Sequence, residues 1–407
     1  MNMNDTPRSE RLHVGLFGRR NAGKSSLINA ITGQETALVS DIPGTTTDPV
    51  YKAMELHGFG PVVFIDTPGL DDEGKLGGMR VSRAMEALNK TDVALYVFDG
   101  APESEADRIA ELKKRQIPVI AVVGKCDILK DPDTIATDIG RLYGLKAIQV
   151  SAVSGMGIKE LRNAVVSSAP ERFWELSITG DLAKTGDTVL LVMPQDREAP
   201  KGRLILPQVQ TIRELLDKNC FVTACTPDGL EAALSSLTFP PHLIITDSQA
   251  FKTVCEKKPP ESLLTSFSIL FAAYKGDIHA FIRGAEALER LKGSSRVLIA
   301  EACAHAPAEE DIGRVRIPAL LRKKAGEGLR VDFVRGRDFP EDLTGYDLVI
   351  HCGACMFNRR QMMGRIAEAE RQGVPICNYG IALACLNGIL GRVSLPGGGE
   401  RAGTYAP

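Results

Sequence analysis

Short apolar runs alternate with longer amphipathic stretches along most of the chain, which predicts parallel β-sheets with crossover helices. From residue 11 to about residue 170 the runs are RLHVGLF, PVVFID, DVALYVFD, PVIAVVG and KAIQV. A second set, TVLLVMP, FVTACT and HLIITD, ends where Pro259 and Pro260 break the pattern. A third set begins with a predicted helix at 277–292 and continues with RVLIAEAC, LRVDFVRG, DLVIHCGAC and VPICNYG.

The three sets predict three α/β domains. We expect a P-loop domain over residues 1–175, an α/β dimerisation domain over 180–262 and an α/β metal-binding domain over 265–407. A polar, glycine-containing segment at 179–187 is the predicted linker between the first two. A chain of 407 residues is long enough for two or three domains of ordinary size.

The composition is that of a globular protein, with 44% hydrophobic and 25% charged residues. A net charge of -2 gives no support for a nucleic-acid groove or for binding to an anionic membrane. The first ten residues are polar and lack the apolar core of a secretion signal. No apolar run reaches the ~20 residues of a membrane span. We therefore expect a cytoplasmic protein with no nucleic-acid or membrane partner.

The segment GRRNAGKS follows the first strand and opens a predicted helix, which is the context of a phosphate-binding loop. In such a loop the backbone N–H groups and the helix N-terminus face the phosphates. Lys24 is expected to reach the β and γ oxygens and Ser25 to hold Mg²⁺. The predicted phosphate-binding residues are Gly18, Asn21, Ala22, Gly23, Lys24, Ser25 and Ser26.

Two further segments stand in the order that GTPases use. In PGTTTD we expect Thr46 to complete the Mg²⁺ shell, with Thr45 as the alternative. In DTPG, Asp66 would support Mg²⁺ through water and the Gly69 N–H would meet the γ-phosphate. Together with Lys24 and Asn21, Thr46 and Gly69 form the predicted catalytic set.

A guanine-binding motif is indicated by Gly124-Lys125-Cys126-Asp127 and by Ser151-Ala152 after the last strand of this set. Residues 11 to about 170 thereby resemble the translation-factor-like GTPases of the MnmE and Era type. That resemblance implies that Asp127 binds the guanine N1 and N2 hydrogens, that Lys125 lies over the base, and that Ser151 and Ala152 belong to the nucleotide site. The family has Asn where this chain has Gly124, so we expect GTP binding to be weaker by ~1 kcal/mol.

Two positions in the GTPase motifs bear on catalysis. Leu70 occupies the place where small GTPases carry a catalytic Gln, so another group must orient the water. The acidic run at 71–73 is a candidate, and a solvated face is the alternative interpretation. Asn21 stands where the MnmE subgroup uses Asn to bind K⁺ near the β and γ phosphates, although an Asn there can also satisfy a turn.

A second candidate site is formed by Cys303-Ala-His305 and His351-Cys352-Gly-Ala-Cys355. Both clusters follow predicted parallel strands, and ligands of open α/β sheets gather at that edge. Three thiolates and an imidazole suit tetrahedral zinc, or a 4Fe–4S cluster with one iron held by a non-Cys ligand. Buried cysteines with satisfied histidines are the ordinary structural alternative. Three of nine cysteines and two of six histidines lie in these strings, which favours a metal.

The C-x-H … H-C-x-x-C pattern downstream of a P-loop GTPase resembles the HydF family of FeFe-hydrogenase maturation GTPases, over essentially the whole chain. The resemblance implies a homodimer whose last domain holds a 4Fe–4S cluster. Cys303, Cys352 and Cys355 would be the thiolate ligands, and His305 or His351 a weaker fourth ligand. It also implies a diiron precursor as cargo, two radical-SAM maturases as partners, and apo FeFe-hydrogenase as the recipient.

Other interpretations stay open at this stage. A GTPase with a structural Cys₃His zinc site could use its last domain only to bind a partner. An RNA-modifying GTPase of the MnmE type would need a tRNA surface, which the near-neutral charge does not support. Cys377 is a weaker ligand candidate. An open sheet edge in the middle domain predicts that the homodimer forms there.

Overall fold

The computed structural model describes residues 10–33, 50–56, 59–67, 85–100, 102–171, 173, 176–194, 204–302, 312–336, 338–353 and 357–397. The chain divides into two compact units, Met1–Glu175 and Leu176–Pro407. Within the described ranges, no helix combines the length and the apolar character needed to cross a membrane.

The first unit contains a six-stranded sheet in the order β2-β3-β1-β4-β5-β6. All neighbours are parallel except β2, which runs antiparallel to β3 at one edge. The sequence pattern predicts the five parallel strands but not β2, because the segment VYKAMEL carries no continuous apolar run. The strands are β1 Leu12–Gly18, β2 Val50–Leu56, β3 Gly60–Asp66, β4 Val93–Phe98, β5 Val119–Val123 and β6 Ala147–Gln149.

Helices pack on both faces of this sheet, and the apolar sides of the strands contribute to two large cores and to a small cluster around Val63 and Ile65. Local sequence sets the ends of α3: Asp131 accepts the N–H of Thr134 at 3.1 Å, and Gly144 ends the helix in the left-handed conformation. The helices are α1 Lys24–Thr32, α2 Ala106–Lys114, α3 Pro132–Tyr143 and α4 Ile158–Ser167, with a 3₁₀ turn at Pro102–Glu105.

The second unit begins with a four-stranded, wholly parallel sheet in the order β10-β9-β7-β8. Its strands are β7 Thr188–Val192, β8 Phe221–Cys225, β9 Leu243–Thr246 and β10 Leu263–Ser266. Its helices are α5 Leu206–Asp217, α6 Leu230–Ser236, α7 Phe251–Lys257 and α8 Phe267–Lys275. The strand β10 pairs with β9 at one edge of this sheet.

A second parallel sheet follows in the order β12-β11-β13-β14. Its strands are β11 Arg296–Glu301, β12 Arg330–Arg335, β13 Leu348–His351 and β14 Ile376–Asn378. Its helices are α9 Ile278–Arg290, α10 Ile317–Ala325, α11 Arg359–Arg371 and α12 Tyr379–Leu386. One core joins both sheets of this unit, since Leu190 and Ile244 belong to the same buried cluster as Ile299. The predicted fold class, three α/β parts built on parallel sheets, is confirmed.

Candidate functional site

The segment between β1 and α1 turns sharply because three of its residues adopt left-handed backbone angles. Gly18 has φ 136°, and a Cβ there would lie 2.4 Å from the carbonyl oxygen of Val97, so only glycine fits. Asn21 and Gly23 follow with φ 61° and 91°. Ala22 is buried and Ser26 is half-buried at the start of α1. The loop thus wraps around the N-terminus of a helix, where backbone N–H groups gather.

The ammonium group of Lys24 lies inside this loop. Its Nζ donates to the carbonyl oxygens of Gly18 at 2.9 Å and Arg19 at 2.6 Å, and the side chain is only 7% exposed. A buried cation held by the loop's own carbonyls is placed to meet an anion that enters the loop.

The two residues predicted to serve Mg²⁺ are in direct contact. Ser25 Oγ donates to Asp66 Oδ2 at 2.5 Å at the end of β3. Burial raises the pKa of Asp66, while the Ser25 hydrogen bond and the charges of Lys24 and Lys52 oppose that rise. Lys52 is a buried lysine that sequence reasoning missed, because it lies on the unpredicted strand β2.

The predicted base-binding residues lie at the ends of β5 and β6. Lys125, with φ 56°, extends across the phosphate loop and donates from Nζ to the Asn21 carbonyl at 2.5 Å. Asp127 is exposed, Ser151 is buried and Ala152 is half-buried. The Cys126 N–H donates to the Val150 carbonyl at 3.3 Å and so ties the two segments together.

A carboxylate with no motif of its own lies beside the phosphate loop. Glu105, which is 3% exposed, accepts hydrogen bonds from Arg19 Nε at 2.5 Å, from Arg108 at 2.8 Å and from the Tyr96 hydroxyl. Burial alone would raise the pKa of Glu105, but these three hydrogen bonds hold it below its ordinary value. A lone Glu in a 3₁₀ turn gives no sequence signal for this role.

Several predicted site residues lie outside the described part of the chain. In the GTPase motifs they are Thr45, Thr46, Gly69, Leu70 and the acidic run at 71–73. In the cysteine motifs they are Cys303, His305 and Cys355.

The strands that lead into the two cysteine motifs, β11 and β13, are neighbours in the second parallel sheet. β11 pairs directly with β13, with Ala300 opposite His351. The N–H of Ala302, the residue before Cys303, donates to Cys352 Sγ at 3.0 Å. A backbone N–H directed at a cysteine sulfur stabilises a thiolate and is a known determinant at iron–sulfur centres.

His351 is fully buried, and both of its ring nitrogens have protein partners. Nδ1 lies 2.9 Å from the Cys352 carbonyl oxygen and Nε2 lies 2.6 Å from Arg365. Burial and the charge of Arg365 lower the pKa of His351 to about 3, so the ring is neutral at physiological pH. Arg365 is another residue that sequence reasoning missed, because an Arg in the middle of a charged helix is usually solvated.

Among the described residues, which include the remaining cysteines, no group of three or more His, Cys, Asp or Glu side chains could hold a metal ion. Cys377 is fully buried on β14, and burial raises the pKa of its thiol. Cys126, Cys220 and Cys255 are buried, and Cys225 and Cys385 are half-buried.

Three sequence families match the chain in succession. Residues 13–125 match a family described as 50S ribosome-binding GTPase. Residues 178–276 match the hydrogen maturase F dimerization domain, and residues 279–396 match the hydrogen maturase F tetramerization domain. The chain belongs to the hydrogen maturase F family. Its first unit is a P-loop GTPase domain, and its second unit carries the two self-association domains of that family.

Similarity to curated GTPases covers about two fifths of the chain. The chain is 34% identical to tRNA modification GTPase MnmE of Nitrosomonas europaea over 42% of its own length and 37% of that protein. It is 34% identical to GTPase Era of Carboxydothermus hydrogenoformans over 39% of its length and 55% of that protein. It therefore spans about a third to just over half of these curated relatives. The solved structure of Aquifex aeolicus Era matches 53% of the chain at 22% identity and a TM-score of 0.37.

Proposed function

We propose that this protein is a GTP-hydrolysing scaffold that holds a 4Fe–4S cluster and assembles or delivers the diiron subcluster to apo FeFe-hydrogenase. The observation that carries the proposal is the 3.0 Å hydrogen bond from the Ala302 N–H to Cys352 Sγ. It brings the backbone next to Cys303 against the H-C-x-x-C motif, although fifty residues separate the two in sequence. Family membership supplies the context of hydrogenase maturation.

In the GTPase domain, Lys24 would bind the β and γ phosphates, and Ser25 with Asp66 would hold Mg²⁺. The 2.5 Å contact between Ser25 and Asp66 supports this assignment. Thr46 would complete the metal shell and Gly69 would bind the γ-phosphate. Asn21, held in a left-handed turn, would ligate K⁺ and stabilise charge between the phosphates. Asp127 and Lys125 would select guanine.

In the last domain, the thiolates of Cys303, Cys352 and Cys355 would hold the cluster, with His305 or His351 as a weaker fourth ligand. The donor set fits the group, because three soft thiolates suit iron–sulfur chemistry and an exchangeable fourth position leaves room for cargo. When bound, the cluster would supply an iron atom through which a diiron precursor could attach. The chain's own contribution is to fix the Cys352 sulfur with a backbone N–H and to bury the His351 ring beside it.

The family's dimerization and tetramerization domains support self-association. We propose a homodimer formed through the sheet of residues 180–262, at the β8 end of the strand order. The exposed side chain of Phe221 on β8 supports an apolar contact there. The domain bounds 1–175, 180–262 and 265–407 belong to the same proposal. Apo FeFe-hydrogenase and two radical-SAM maturases would be the other partners.

The test is the metal content of cysteine variants purified without oxygen. Cys303→Ser, Cys352→Ser and Cys355→Ser should each lose the broad visible absorption that dithionite bleaches, because a hydroxyl does not replace a thiolate at a soft iron centre. Cys385→Ser is the matched control, since this half-buried cysteine of the same domain lies outside the motif and should keep the full signal. A colourless wild-type protein carrying one zinc would instead establish the Cys₃His alternative.

A further inference from the structure

Arg365 lies in the middle of α11, and its guanidinium group points inward instead of into solvent. One terminal nitrogen lies 2.6 Å from His351 Nε2, and the other donates to the Gly336 carbonyl oxygen. The guanidinium carbon lies 4.5 Å from the ring centre of Phe339 and 4.5 Å from that of Phe357. Two aromatic faces and two acceptors thus fix the planar group in one orientation.

The contact between Arg365 and His351 determines which ring nitrogen carries the proton. A guanidinium group has only donors, so His351 Nε2 must accept and cannot carry hydrogen. The proton is therefore on Nδ1, which donates to the Cys352 carbonyl oxygen at 2.9 Å. Neither nitrogen has a lone pair left to offer to a metal ion.

We propose that Arg365 is a positioning residue: it keeps His351 from binding the cluster, so that the His351 ring instead donates a hydrogen bond to the Cys352 backbone. The inference rests on the proposed cluster function and narrows it, because it leaves His305 as the only imidazole of the motif able to bind iron. His351 then acts through its hydrogen bond to Cys352, in the way that outer-shell groups orient metal ligands.

The burial of the pair strengthens this assignment. The His351 side chain has no solvent exposure, and its ring lies 5.9 Å from that of Phe357. Rotation of His351 toward a metal would deprive the guanidinium of Arg365 of the acceptor that His351 Nε2 provides, which is costly for a charged group away from solvent. Removing the donors of Arg365 should therefore release the ring.

The experiment compares wild type with Arg365→Met, which keeps an unbranched side chain but has no donor. In the reduced, cluster-loaded full-length protein, pulsed EPR should detect no ¹⁴N coupling from His351. Any strong ¹⁴N coupling in wild type should survive His351→Gln and disappear in His305→Gln. Arg365→Met should gain a new ¹⁴N coupling that the double variant with His351→Gln lacks. Arg371→Met, an exposed arginine of the same helix, is the control and should match wild type.

A second readout uses the metal-free protein, so it does not depend on the cluster. With ¹⁵N-labelled histidine, the His351 shifts should report a protonated Nδ1 and an accepting Nε2 in wild type and in Arg365→Lys, which retains a donor. In Arg365→Met these shifts should move toward a mixture of tautomers. If Arg365→Met fails to fold, Arg365→Lys and the wild-type shifts still decide the tautomer.

Two outcomes would overturn the inference. The first is a wild-type ¹⁴N coupling that His351→Gln removes while the iron content stays full. The second is a His351 ring protonated on Nε2 in wild type. A protein in which neither wild type nor any variant takes up iron would refute the cluster function itself, and the nitrogen shifts would still show whether Arg365 sets the tautomer.

Discussion

Glu105 shows how a single buried carboxylate can support the nucleotide site from outside every GTPase motif. It binds the side chain of Arg19, whose own carbonyl accepts a hydrogen bond from Lys24. Arg365 has the opposite charge and lies beside the buried ring of His351. In both cases several hydrogen bonds hold a charged group away from solvent, which makes the position of its partners specific.

Glu105→Gln should lower stability by about 2 kcal/mol near neutral pH, because charged hydrogen bonds to Arg19, Arg108 and Tyr96 are weakened. The pKa of Glu105 is lower in the folded state than in the unfolded chain, so the unfolded chain binds more protons between the two values. The contribution of Glu105 to the free energy of unfolding is complete above its pKa in the unfolded chain, about 4.3. It is lost as the pH falls through the lower pKa that Glu105 has in the folded protein.

Urea unfolding of the full chain at pH 7 and at pH 4 measures this effect. The difference in the free energy of unfolding between wild type and Glu105→Gln should be smaller at pH 4 than at pH 7. Glu103→Gln is the control, because this exposed neighbour should change stability by less than about 0.5 kcal/mol. An equal difference in the free energy of unfolding at both pH values would mean that the carboxylate charge of Glu105 does not contribute to stability.

Gly124 occupies a position that is too tight for the Asn of the MnmE and Era type. A Cβ there would lie 2.9 Å from Val97 Cγ1 and 3.1 Å from the Ala22 carbonyl oxygen. We therefore expect Gly124→Asn alone to bind GDP no more tightly than wild type. Val97→Ala makes room for the Asn side chain. The double variant should therefore bind GDP about fivefold more tightly than Val97→Ala alone, because one hydrogen bond contributes ~1 kcal/mol.

Fluorescence titration with a labelled nucleotide gives the four dissociation constants of this cycle. Val97→Ala is the reference for the double variant, since trimming a buried valine affects the domain by itself. A fivefold gain in the single Gly124→Asn variant would show that Val97 does not exclude the side chain.

At the scale of elements, the start of α11 is tied to the end of α8. Asn358 caps α11 by accepting the Gln361 N–H at 3.0 Å, and Gln361 accepts the Asn358 N–H in return. Arg359 donates to carbonyl oxygens at the end of α8, among them that of Gly276 at 2.7 Å. Lys275, the last residue of α8, donates to the Phe357 carbonyl at 3.0 Å. Phe357 is thereby anchored to a helix of the neighbouring sheet.

Phe221 is exposed on β8, an edge strand of the first sheet in the second unit. Phe221→Lys should break a homodimer formed at β8, because a charge on an edge strand opposes pairing with a second copy. Light scattering at tens of micromolar should then report a smaller assembly than wild type. Phe239→Lys is the matched control, since Phe239 is 77% exposed in a bend outside the strands. If both variants kept the wild-type mass, β8 would not be the interface.

At the scale of the whole molecule, the phosphate-binding motif and the cysteine motifs belong to different compact units. Lys24→Ala should reduce GTP hydrolysis at least about a hundredfold while the iron content stays unchanged, because only the charge at the phosphates is lost. Cys352→Ser should lose iron and keep the hydrolysis rate. Lys159→Ala, an exposed lysine of the first unit, is the control for the rate.

Both variants should fail to activate apo-hydrogenase. Phosphate release, iron analysis and hydrogen evolution on the same preparations measure the three properties. A Lys24→Ala protein purified without iron would show that the cluster depends on the nucleotide state and that the two units do not act independently.

The apolar runs by themselves determined most of the fold. Short apolar runs separated by amphipathic stretches are compatible with few arrangements other than parallel sheets with crossover helices. The phosphate loop was equally predictable from the sequence, because its glycines and Lys24 are needed at fixed spacing within one short segment. The cysteine motifs were visible for the same local reason.

Only the tertiary structure decided which distant side chains meet. β2 has no apolar run and forms a strand because β3 offers it an edge, and this brings Lys52 toward Asp66. Glu105 and Arg365 lie in segments whose sequences predict solvated positions, and each acquires its role from partners far along the chain. Local patterns specify backbone periodicity, whereas a buried charge is placed by the packing of several elements at once, and no short stretch of sequence records that packing.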